Sequence, residues 1–223
     1  MEQYGFPKVS TFLELEKETF SNLLKSTWIN LHPKLHGPIS STFSKISSGT
    51  LCINFEGEFM AVIEEKNRSV CVGSKVECEN NKIKNISFHY AIMESEYSKK
   101  VLRKVHFDVA VPGQIGKKNQ PLYHFQVGGE DTPLLEKKGV NLAPLEPWFS
   151  YPRWPHYPLS TALFLDIVFR EIGDDNLKTF IGEGGWRRLI KENEKTIWLP
   201  FFNLATDILQ SNSSLLMDKF YES

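Results

Sequence analysis

Between Lys82 and Gly129 apolar and polar residues alternate in three successive runs, KIKNISFHYAIMES, VLRKVHFDVAV and PLYHFQVGG. A period of two gives a strand one buried face, and it cannot gather apolar residues on one side of a helix. In the first run Phe88, Tyr90 and Ile92 oppose Ser87, His89 and Met93. In the second, Val105, Phe107, Val109 and Val111 oppose Lys104, His106 and Asp108. In the third, Tyr123, Phe125 and Val127 oppose Leu122, His124 and Gln126. If the apolar sets line one core, then His89, His106, Asp108, His124 and Gln126 crowd the other face.

The rest of the chain must cover that core. Its 223 residues are 41% hydrophobic, enough for one sizeable domain. The start reads as a helix over residues 10–31, with Thr11 and Glu14 spaced as a capping box and Pro33 as its end. HPKLHGP then reads as a connector. His32 and His36 lie four apart within it, a metal spacing only on a helix, which Pro33 argues against. The sheet is expected over 39–129. ISSTFSKI, TLCINF, EFMAVIEE and VCVGSKVEC would precede the three central runs, with a hairpin at Glu56-Gly57. Residues 130–158 form a long aromatic and proline-rich loop carrying Trp148, Arg153 and Trp154. Its aromatic residues can pack on the sheet or present a binding surface.

From residue 159 the pattern is helical. Ser160 is placed to cap a helix over Thr161 to Ile172 that Gly173 stops, and Asp166 and Arg170 are spaced to pair in it. Asp174 or Asp175 opens a short helix, GEGG reads as a hinge-like turn, and Pro200 suits the first turn of another helix. The expected fold is a single α+β domain over 1–223. An antiparallel curved sheet of about five to seven strands is flanked by an N-terminal helix and C-terminal helices.

Charge and cysteine content narrow the setting. A net charge of −1 gives no overall attraction to nucleic acid, which would need a local basic patch. Three cysteines without a C-x-x-C pair, and an opening MEQYGFPKVSTFLELEKE without an apolar signal core, predict a cytoplasmic protein. No run approaches the roughly 20 apolar residues of a membrane span, so no membrane partner is expected. Phosphate-loop, dinucleotide, nucleophile-elbow and zinc signatures are absent. Cys71 and Cys78 read as half-buried strand residues.

Chemistry then rests on the polar sheet face. His106 and Asp108 stand about 7 Å apart along one strand, and His124 comes alongside if the strands pair in register. These three are the candidate catalytic residues, as acid and base in phosphodiester cleavage with Lys104 offsetting charge. The same three are the candidate ligands of a divalent metal, the one cofactor considered. Gln126, His89, Arg153, Trp148 and Trp154 are candidate binding residues. The alternative is a mixed polar face open to water.

HFDVAV, LYHFQVGG, PRWPHYPLS and LFLDIVFREI together resemble small bacterial α+β proteins that accompany toxin–antitoxin or phage-defence loci. The similarity spans Val101 to Ile172 and implies an accessory protein or a nuclease-like effector. The leading expectation is a cytosolic interaction or regulatory subunit of a larger bacterial assembly, with a protein partner, since no established catalytic signature is present beside a long aromatic loop. A nuclease-like hydrolase using the His/Asp cluster and a small-molecule sensor domain are the alternatives.

Overall fold

The computed structural model describes residues 6–50, 52–79, 82–98, 100–109, 122–127, 139 and 154–211. Trp148, Arg153, most of the aromatic loop and the tail from 212 lie outside the described residues.

The N-terminal region is a set of three helices. Helix α1 spans Val9–Lys25 and buries Phe12, Leu15, Glu16, Thr19, Phe20 and Leu23, a stripe at helical spacing. Lys8 is its N-cap, without a side-chain cap, so Thr11 lies inside the helix and does not open it. The chain breaks at Ser26, whose hydroxyl accepts from Ile29 N–H and starts α2 (Thr27–Leu31). Pro33 then opens α3 (Pro33–Ser47) where a continuous helix was expected to end. Proline suits a first helical turn because no backbone donor is needed there. ISSTFSKI is therefore helical, and the sheet begins at Cys52. Leu35, Ile39, Thr42 and Ile46 are buried at intervals of four, three and four. That spacing prevails over the strand preference of the Ile and Thr residues.

Among the described residues six antiparallel strands follow in sequence order: β1 (Cys52–Ile63), β2 (Lys66–Glu79), β3 (Lys82–Met93), β4 (Val101–Val109), β5 (Tyr123–Val127) and the two-residue β6 (Trp154–Pro155). β1 runs straight through Gly57, so the expected hairpin there is absent. Gly57 instead lets α3 pack closely on the sheet, since a methyl at its Cα would overlap Leu35 Cδ2. The hairpin lies at Glu64-Glu65, between the paired Ile63 and Lys66, with φ of 51° and 60°. Two positive φ values suit the right-handed twist of a two-residue hairpin, though glycine or asparagine usually supplies them.

Helices cover one face of the sheet. Helix α4 (Thr161–Ile172) stacks Phe164 on Phe88 at 5.2 Å between ring centroids and sets Phe169 against Phe59 at 5.9 Å. Phe20 of α1 meets Phe55, and Trp28 of α2 meets Phe59. Ser160 caps α4 by accepting from Leu163 N–H, Gly173 ends it at φ 68°, and Arg170 pairs with Asp166 at 2.6 Å, all as the sequence predicts. Asp174 caps α5 (Asp175–Gly182). The turn at GEGG is Glu183 alone, which separates α5 from α6 (Gly184–Asn193) as its N-cap, and both following glycines are helical. A π-helical turn, Glu194–Trp198, leads into α7 (Leu199–Ser211). Among the described residues no helix is long and apolar enough to cross a membrane.

Candidate functional site

Directly paired residues of an antiparallel sheet share a face, so register decides which side chains meet. Ser87 pairs with Asp108, and Asp108 with His124. His89 pairs with His106, and His106 with Gln126. Two neighbouring rows on the face away from α4 thus hold every strand-borne candidate of the polar set.

The side chains converge. His106 Nε2 lies 3.1 Å from Asp108 Oδ1, and His124 Nε2 lies 3.9 Å from Asp108 Oδ2. Ser87 Oγ is 2.6 Å from the same His106 Nε2. The imidazoles of His89 and His106 meet edge to face at 6.2 Å. This is no open, solvated sheet face. His124 is 3% exposed, Lys104 4% and His89 9%, while His106 and Asp108 keep 18% and 29% of their side chains in contact with water. Confining ionisable groups this way is costly unless they pair, which Asp108 and its imidazoles do.

Electrostatics separates the roles. Burial pushes the Asp108 carboxyl up, but the hydrogen bond and charge of His106, the charge of His124 and the Ser87 hydroxyl outweigh it. The net effect holds Asp108 below its ordinary range, as a carboxylate. His89 goes the other way, to about 3, through burial first and then the neighbouring His106 and Lys104 charges. It is neutral at neutral pH, and its buried Nε2 has no hydrogen-bond partner among the described residues. Its ring lies over Gly73, where a methyl would overlap Cε1 and Nε2.

An ionised Asp108 beside Nε2 makes that nitrogen the protonated one, because a carboxylate only accepts. No described residue hydrogen-bonds the other ring nitrogen, His106 Nδ1. The arrangement is an Asp–His pair in which the imidazole engages the carboxylate through one of its two nitrogens. Ser87 meets the same nitrogen that Asp108 holds. Among the described residues no group of three His, Cys, Asp or Glu side chains is arranged to hold a metal ion.

Other candidates sit apart. Trp154 is described through its backbone, which pairs with Phe125 in β6. His156 packs against Phe107 at 5.2 Å, on the apolar side of the sheet. His32 occupies the N-cap position of α3 without a side-chain cap and packs against Trp28 and Phe59, while His36 is exposed. Cys71 is buried and Cys78 half-buried, and burial pushes the Cys78 thiol up to about 11, away from nucleophile range. Alternation places Ser87 on this face without marking it as a site residue. Gly73 is the site residue that sequence reasoning did not find, because its role depends on the pairing of β2 with β3.

The chain was compared with protein-family models, with curated proteins and with solved structures, and none of them matches it.

Proposed function

We propose that this protein is a small metal-independent hydrolase acting on phosphodiesters, with His106 as its proton-transfer residue. The observation that carries this reading is the carboxylate of Asp108 set between two imidazoles, 3.1 Å from His106 and 3.9 Å from His124. Asp108 selects the His106 tautomer and offsets the positive charge that forms when Nδ1 takes a proton from the attacking hydroxyl or water. The same nitrogen returns that proton to the leaving oxygen. Lys104, one row away on the same face, offsets charge developing on the phosphoryl group. His124 is a positioning residue behind Asp108, and Ser87 is a second.

The resemblance to nuclease-like effectors points the same way and suggests single-stranded RNA or DNA as the first substrates to offer. Cleavage is expected to survive chelator and to fall by about 100-fold or more in His106→Ala and in Asp108→Asn. The asparagine variant keeps the shape but reverses the tautomer. No cleavage of RNA, DNA or bis(p-nitrophenyl) phosphate, or cleavage that persists in His106→Ala, would overturn the reading.

A second reading, the interaction subunit, draws on α7. Phe201 is buried there, while Leu199, Phe202 and Leu209 are 54%, 40% and 63% exposed. Exposed apolar side chains on one helix suit a protein partner. Co-purification from the native source with one stoichiometric partner, lost on Phe202→Asp/Leu209→Asp, is the result that would favour it over the hydrolase.

A further inference from the structure

On the outer side of α4, away from the His/Asp site, α4 and α6 and the π-helical turn bound a cavity of about 360 Å³. Five charged groups line it: Asp166, Arg170, Arg187, Lys191 and Glu194. Asp166 is already satisfied. Its Oδ1 accepts from Trp186 Nε1 at 2.8 Å and its Oδ2 from Arg170 Nε at 2.6 Å. Arg187 and Lys191 stand four apart on α6, both exposed, and no described residue pairs with either. Three cations therefore face two carboxylates, one of them consumed by Arg170 and Trp186.

We infer that this cavity binds a small phosphomonoester with a hydroxyl-bearing body, such as a nucleoside monophosphate. Arg187 and Lys191 supply a guanidinium fork and a point charge one helical turn apart, suited to a dianionic phosphoryl group. Arg170 adds a third cation, oriented through its Nε bond to Asp166. Glu194 cannot meet a phosphate, but it can accept hydrogen bonds from sugar hydroxyls. Glu194 also opens the π-helical turn, and such turns inside helices occur often at functional sites. Ile181 and Ile190 supply an apolar wall for the remainder of the ligand. The inference does not depend on the hydrolase reading.

The test is calorimetric titration of the full chain with adenosine monophosphate, ribose 5-phosphate, inorganic phosphate and adenosine. Binding of the two phosphomonoesters is expected, with adenosine silent and inorganic phosphate weaker. Arg187→Ala/Lys191→Ala should lose at least 10-fold in affinity with its circular dichroism unchanged. Lys178→Ala/Lys195→Ala removes the same charge from positions paired with Asp175 and Glu192, and should bind as the wild type does. Glu194→Gln should bind inorganic phosphate more tightly but ribose 5-phosphate no more tightly. Failure of both phosphomonoesters to bind at millimolar concentration overturns the inference, and so does equal loss in the two double variants. Binding of a single-stranded oligonucleotide that adenosine monophosphate does not displace would also overturn it, in favour of a nucleic-acid surface.

Discussion

Gly73 holds its position because His89 lies over it. A Cβ there would meet two atoms of the imidazole and come within 3.1 Å of Phe55 O, so the ring must move and the backbone leaves little room. Gly73→Ala is expected to cost about 1–3 kcal/mol, as overpacked buried sites do. It should also shift the His89 and His106 ring resonances together, because those rings touch at 6.2 Å. Urea denaturation and imidazole NMR read both effects, and a variant with wild-type midpoint and spectra would contradict the packing. At this scale the sequence was partly legible. Alternation put His106, Asp108 and His124 on one side, because side-chain direction in a strand follows position alone. It could not show that Asp108 sits between the imidazoles, since that depends on rotamers and on two strand registers.

Helix α4 is the element that ties the halves of the chain together, and its ends are written in local sequence. Ser160 caps it and also donates to Asn193 Oδ1 at 2.6 Å, joining α4 to the end of α6. Ser160→Ala removes the cap and leaves Asn193 without that donor. A loss of about 1–2 kcal/mol is expected by urea denaturation. Asn193→Ala in the same background should add less than it costs alone, because the two share one bond. Full additivity would show that the contact does not stabilise the fold. α3 was the opposite case. Its Ile, Ser and Thr residues favour a strand, and Pro33 resembles a stop. Only burial of Leu35 against Gly57 and the matching stripe of Ile39 and Ile46 decide for a helix. The Glu64-Glu65 turn was missed for a related reason. Neither residue favours positive φ, and the long pairing of β1 with β2 holds them there.

For the whole molecule, His89, His156 and Glu16 show two opposite ways in which stability follows pH. Burial first of all lowers His89 to about 3 and His156 to about 4, both below the ordinary 6.5. The unfolded chain protonates these histidines first, so stability falls as pH drops from about 6.5 toward 3 to 4. Glu16 acts in the opposite sense. It is wholly buried between α1 and the start of α4, where Oε1 accepts from Thr161 N–H at 2.9 Å and Oε2 has no hydrogen-bond partner among the described residues. Burial raises it to about 7 from 4.5, against the pull of the Thr161 groups. The folded state therefore prefers the protonated acid. This stabilisation is full below about 4.5 and is lost as pH rises through about 7. Glu16→Gln should be more stable than wild type above pH 7, by up to about 3 kcal/mol, and should converge with it near pH 4.5. Denaturation midpoints measured from pH 4 to 9 test this, and a difference that does not change with pH would refute the linkage. The sequence by itself determined the three central sheet-forming runs, the α+β class and the cap and stop of α4, because periodicity and end signals act over a few residues. Tertiary structure alone decided that α3 is helical, that Glu16 lies buried against the Thr161 backbone, and that Asp108 meets His106 and His124. Each of these depends on contacts between residues distant in the chain or on register across strands, which no local pattern encodes.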